Sequence, residues 1–140
     1  MIKELITDEA ILSQDCEVAT AEDAAVATDL IDTIESMKDE CACLAANQIG
    51  VTKAIIAYQD EKDRIHVMYN PSIKRAMKRY VANEGCLTRE EPTVVERYAI
   101  ATITYEVLIN GKLEKRERKF TDWTAQLIQH GIDHCKGKLV

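Results

Sequence analysis

The dipeptide Asn110-Gly111 restricts what this chain can become more than any other feature. Both residues tolerate the positive φ that a two-residue type I′ hairpin demands. Upstream, Ala101, Ile103, Tyr105, Val107 and Ile109 alternate with Thr102, Thr104, Glu106 and Leu108, the period-two pattern of a half-buried strand. Downstream, residues 113–120 read as the returning, charge-rich strand. An antiparallel sheet follows, and everything else must pack around it. Thr121 stands where an N-cap belongs, opening a helix over about residues 122–136. Thr20 with Asp23 resembles a capping box, and Val26, Leu30, Ile34 and Met37 recur near helical spacing, which predicts a helix over 21–38. Residues 53–58 and 64–69 read as strands around a polar turn. Asn70-Pro71 is expected to end the second of them, and residues 74–81 are a further strand candidate. The predicted class is α+β, with mostly antiparallel strands around a C-terminal helix, in a single domain spanning 1–140.

Composition narrows the partners. A net charge of −6 argues against nucleic acid as a direct partner. The basic residues Lys112, Lys115, Arg116, Arg118 and Lys119 alternate with acidic or apolar ones and read as a solvated strand face. No apolar run approaches the ~20 residues that span a bilayer, so no membrane partner is expected. The N-terminal MIKELITDEA lacks the apolar stretch of a signal peptide. Cysteines 16, 41, 43, 86 and 135 are odd in number and irregular in spacing. That favours a reducing cytoplasm with free or metal-bound thiols.

Chemistry concentrates on the last helix. His130 and His134 lie four residues apart on one helical face and can clamp one metal ion. In the H-E-x-x-H pattern the second residue is a glutamate that serves as general base; here it is Gly131. Two ligands do not make a tight site. Cys86, in Glu84-Gly85-Cys86-Leu87-Thr88, offers a thiolate from another element. A Cys-His-His set leaves one coordination position open, the catalytic arrangement. Each feature alone has a plainer reading: histidines recur by chance at this spacing, and an isolated cysteine is usually a small buried hydrophobe. Their joint occurrence with Leu44-Ala45-Ala46-Asn47-Gln48-Ile49-Gly50, a small-residue segment carrying an amide side chain, favours a site.

These three segments, in this order, resemble the peptide deformylase motifs G-x-G-L-A-A-x-Q, E-G-C-L-S and H-E-x-D-H. Here they read Cys41-Ala42-Cys43-Leu44-Ala45-Ala46-Asn47-Gln48, Glu84-Gly85-Cys86-Leu87-Thr88 and His130-Gly131-Ile132-Asp133-His134. Asn70-Pro71 and Gly137 also fit, and the branch resembled is one of Gram-positive bacteria. The resemblance implies that Cys86, His130 and His134 hold one divalent metal, iron in many members, with zinc or nickel as substitutes. It implies that the Gln48 side-chain amide and the Leu87 backbone N–H stabilise the oxyanion formed on a formyl carbon. Glu84 and Asp133 are expected to orient the ligands. The implied enzyme is a bacterial cytoplasmic metallohydrolase of protein biosynthesis and N-terminal processing. Its substrate would be N-formylmethionyl peptides, supplied by nascent chains at the ribosome.

The departures matter as much. Gly131 removes general acid–base catalysis, which contributes ~10²–10⁴-fold. It also costs roughly 1 kcal/mol of helix propensity relative to Ala, with no stability motive visible in the sequence. Cys41 and Cys43 replace both motif glycines, narrowing the cleft, and either thiol could close the open metal position. The helix that follows the third motif in longer members has no counterpart before Val140. The resemblance therefore predicts a deformylase with strongly impaired activity. The competing expectations are a metal- and peptide-binding pseudoenzyme, or a structural metal protein.

Overall fold

A sheet of five antiparallel strands runs in sequence order: β1 (Cys43–Ala45), β2 (Ile55–Gln59), β3 (Ile65–Glu84), β4 (Thr93–Ile109) and β5 (Lys112–Thr121). It is seen in a computed structural model that describes residues 1–140. Three helices accompany it: α1 (Glu9–Leu12), α2 (Ala24–Ser36) and α3 (Asp122–Cys135). Short 3-10 turns at Ala21–Asp23 and Ala46–Ile49 complete the order. This is the expected α+β class. Asn110 and Gly111 take φ of 51° and 79°, and Ile109 pairs with Lys112 across the turn. The capping box at Thr20 and Asp23 forms, but it caps the 3-10 turn that leads into α2. Thr121 is the N-cap residue of α3 without a side-chain cap bond. It is still in the sheet, paired with Ile100, which fixes its backbone.

Asn70-Pro71 does not end a strand. β3 continues through it to Glu84, and the candidate strand 74–81 is part of the same strand. The register shifts between Tyr69 and Ser72 and again between Ile73 and Arg75, with Asn70 at φ 52°. Such irregularities accommodate the donor that Pro71 lacks and let a long strand bend. The Asn70 side chain holds the bend. It accepts from Ala19 N–H at 2.8 Å and donates to the Ala19 carbonyl at 2.9 Å and to Glu106 at 2.8 Å.

Alternation along the central strands sorts side chains into two cores. Ala45, Ile56, Tyr58, Ile103 and Phe120 face α3 and meet Ala125, Ile128 and Ile132. Leu44, Ile55 and Ala57 face the other way and meet Ala27, Leu30 and Ile34 of α2. β2 is thus covered on both faces, which explains its unbroken apolar run. Burying each large side chain such as Ile128 or Ile132 contributes roughly 1.5–3 kcal/mol. The same packing presses the metal-motif helix against β1 and β2.

Candidate metal centre

Three elements deliver the chemistry. β3 ends at Glu84, and two residues later Cys86 turns into a hollow of about 370 Å³. α3 presents His130 and His134 on one face. The 3-10 turn after β1 supplies Gln48. The ligand atoms of Cys86, His130 and His134 lie within 4.8 Å of one another and could hold a metal ion. Cys86 Sγ is 3.6 Å from His134 Nε2, and the two histidine Nε2 atoms are 3.1 Å apart. One soft thiolate and two imidazole nitrogens suit zinc, iron or nickel. Neither Cys41 nor Cys43 belongs to this cluster. The Cys41 thiol donates instead to the Cys43 carbonyl at 3.2 Å.

Charge in the site favours the thiolate of that donor set, whereas His130 must give up a proton to become a ligand. Burial alone would push the Cys86 thiol up. Hydrogen bonds from His130, His134 and Thr88 outweigh it and bring the thiol down to about 5. Burial likewise opposes charge on His130, but Cys86 and Glu84 raise it to about 9. Cys86 is therefore held as the thiolate a cation needs. Burial drives the Cys43 thiol far above its ordinary range and the Cys41 thiol up to about 11.

Behind the ligands lies a buried polar network. His130 Nδ1 is 2.7 Å from Glu84 Oε1, which leaves Nε2 to face the cluster. Arg97 grips Glu84 through both oxygens at 2.7 and 2.9 Å, and reaches Asp133 at 2.7 Å. Gln126 donates to Glu84 at 2.9 Å, and Tyr80 fixes Gln126 in turn. The Arg97 side chain is only 4% exposed, so these charges are thoroughly desolvated. Sequence reading missed Arg97. Its one signal was a cation between Val95 and Tyr98, ahead of the strand read from Ala101. Asp133, expected to orient a ligand, acts on Arg97.

Glu84 predicts a pH effect with a definite sign. Burial opposes its charge, but His130 and Arg97 hold its carboxyl at about 2, well below its ordinary 4.5. The stability this adds is complete above pH 4.5 and is lost as pH falls through about 2. Comparing metal-free wild type with Glu84→Gln by thermal melts should show a gap that is widest between about pH 4.5 and 6.5, closes toward pH 2 as Glu84 protonates, and narrows toward pH 9 as His130 loses its proton. A gap that widens on acidification below pH 4.5 contradicts this account.

The oxyanion candidates also converge. Gln48 Oε1 accepts from Ala45 N–H at 2.9 Å, which turns Nε2 toward Cys86 and Thr88, each 3.2 Å away. Leu87 lines the hollow, and its N–H makes no hydrogen bond within the chain. Gly131 corrects the expectation that its missing side chain has no stability motive. A Cβ built there would lie 3.0 Å from Cys43 Sγ and 3.1 Å from two carbons of Ile56. Side chains from β1 and β2 fill the space where a glutamate would begin. A side chain at 131 would thus need Cys43 and Ile56 to give by a few tenths of an ångström.

Comparison with known proteins adds a third line. The pattern of the polypeptide deformylase family matches residues 2–140. A peptide deformylase of Clostridium beijerinckii is 36% identical over 140 residues, covering all of both chains. One from Pseudothermotoga lettingae is 38% identical over 98 residues, 69% of this chain and 54% of that protein. Among solved structures, a class I type b peptide deformylase from Acinetobacter baumannii with Met-Ala-Ser bound superposes with a TM-score of 0.84. It is 23% identical, over 99% of this chain and 97% of that one, a likeness of fold.

Proposed function

We propose, from the premise that this chain belongs to the polypeptide deformylase family, that it removes the formyl group from N-formylmethionyl peptides slowly, with one divalent cation bound. The observation that carries this reading is the convergence of Cys86, His130 and His134 within 4.8 Å, beside an oriented Gln48 amide and the Leu87 N–H. A cation held by those three side chains would polarise the formyl oxygen and acidify water, with iron the first expectation and zinc or nickel as substitutes. The remaining work falls to the chain's own groups. Gln48 Nε2 and Leu87 N–H donate to the oxygen that gains negative charge, each worth ~10²–10³-fold. Glu84 fixes His130, and Thr88 holds Cys86 in place. No carboxylate stands at position 131 to carry a proton to the leaving amine, so that proton comes from solvent and turnover is slow. Peptides of this kind arise as nascent bacterial chains, which places the proposed action in the cytoplasm without direct contact to nucleic acid.

A second reading has its own observation. Because Cys43 and Ile56 occupy the space beside Gly131, the site is repacked, which favours a protein that binds metal and peptide without turnover. Stripping the metal, reloading with Fe²⁺, Zn²⁺ or Ni²⁺ and following amine release from formyl-Met-Ala-Ser separates the two. Metal-dependent release supports slow hydrolysis. Saturable peptide binding with no release supports the second reading, and neither one refutes both. Gln48→Ala should lower any such rate by ~10²-fold, mostly in kcat. Cys86→Ser should reduce metal content at least ~10-fold by elemental analysis, since a hydroxyl is a poor substitute for thiolate. Full occupancy in that variant would remove Cys86 from the ligand set.

A further inference from the structure

Away from the metal cluster, a second pair of thiols meets at the far end of α3. Cys16 N–H donates to the Cys135 carbonyl at 2.9 Å, which sets the two residues side by side. From standard covalent dimensions that backbone bond places the two Cα atoms roughly 5–6.5 Å apart, within the range a disulfide bridges. Both partners are tightly held. Glu17, next to Cys16, donates to the Thr52 carbonyl and accepts from Ala54 N–H, each at 2.9 Å. On the other side Gly137 takes φ +73°, and a Cβ there would come within 2.5 Å of the Ser13 carbonyl oxygen. Backbone contact on both flanks fixes residues 13–17 and keeps Cys16 beside Cys135 at the end of α3. The other three cysteines lie in or beside the hollow, away from this contact.

We propose that Cys16 and Cys135 form a reversible disulfide that ties the N-terminal segment to the metal-motif helix under oxidising conditions. The oxidant is a small disulfide such as oxidised glutathione. Cys16 is the more exposed thiol and Cys135 is buried, so exchange starts at Cys16. Its thiolate attacks the glutathione disulfide, forming a mixed disulfide and releasing one reduced glutathione. The Cys135 thiolate then attacks the Cys16 sulfur, forming the internal bond and releasing the second. Two protein thiols lose two protons and two electrons, and one glutathione disulfide becomes two thiols.

The test treats reduced protein with oxidised glutathione, then alkylates it under denaturing conditions. The expected product is about 2 Da lighter before alkylation, the mass of two hydrogens. Trypsin should release residues 4–38 joined to residues 120–136. Closing a loop of this length should raise the melting temperature by about 5–10 °C, reversed by dithiothreitol. Cys16→Ser should lose both the joined peptide and the shift. Glutathione retained on Cys16, both cysteines still alkylatable, or an equal shift in Cys16→Ser overturns the proposal.

Discussion

Gly131→Glu on its own should leave formyl-peptide hydrolysis within a few-fold of its starting rate, whereas Cys43→Gly combined with Gly131→Glu should raise it at least ~10²-fold. Sequence alone argues for the single change, because it restores the carboxylate the motif lacks. The structure argues otherwise. The new Cβ meets Cys43 Sγ at 3.0 Å and Ile56 at 3.1 Å, so the longer side chain starts in occupied space. Overpacking of this kind costs typically 1–3 kcal/mol. The gain in helix propensity on leaving glycine, roughly 1 kcal/mol, offsets only part of that. Strain at the contact would push the carboxylate off its line to the site. Removing the Cys43 side chain relieves the shortest contact and restores the small residue the motif carries on β1. The two positions should therefore be coupled in stability as well as rate, by about 1–2 kcal/mol in a double-mutant cycle. Rates from formate or amine release and stabilities from urea melts give both quantities. A full gain from Gly131→Glu alone would show that Cys43 is no obstacle. A metal-loaded double variant with no gain would favour the reading without turnover.

How much of this was legible in the sequence depends on the range of the cause. The hairpin at Asn110-Gly111, the 101–109 half of strand β4 and helix α3 were readable because their signals are local: turn chemistry, period two, and period 3.6. The three motif segments could be lined up, but not their mutual distances. Asn70-Pro71 misled because a proline usually marks an end. Here the Asn70 side chain bonds a segment 51 residues away, and the bulge lets the strand run on. Arg97 was invisible because it lies ahead of the alternation read from Ala101, and an arginine normally faces water. Only the fold brings Glu84 and Asp133 to it, across 13 and 36 residues. Gly131 looked like a bare loss for the same reason: its neighbours Cys43 and Ile56 come from strands that sequence spacing does not place.

Replacing Glu84 by alanine should destabilise the metal-free protein by roughly 3–5 kcal/mol and independently weaken metal binding by about 10–100-fold. The two effects have different origins. Stability falls because Arg97, 4% exposed, loses its bidentate partner and keeps only Asp133, leaving a buried cation half compensated. Gln126 loses its acceptor as well. Metal affinity falls because Glu84 Oε1 is the atom that bonds His130 Nδ1, fixing the ring with Nε2 toward Cys86 and His134. Without it the imidazole is free to turn and is less basic as a ligand. Two further variants separate the effects. Glu84→Gln keeps an oxygen for His130 while removing the charge, so affinity should fall less than in Glu84→Ala. Arg97→Met in the Glu84→Ala background removes the stranded cation, so stability should partly recover while metal affinity stays low. Urea unfolding of the metal-free variants and chelator competition for the loaded ones measure each separately. If stability and affinity recover together in that double variant, the ligand is positioned by overall folding and not by Glu84. If Glu84→Ala changes neither, the buried network plays no part in the site.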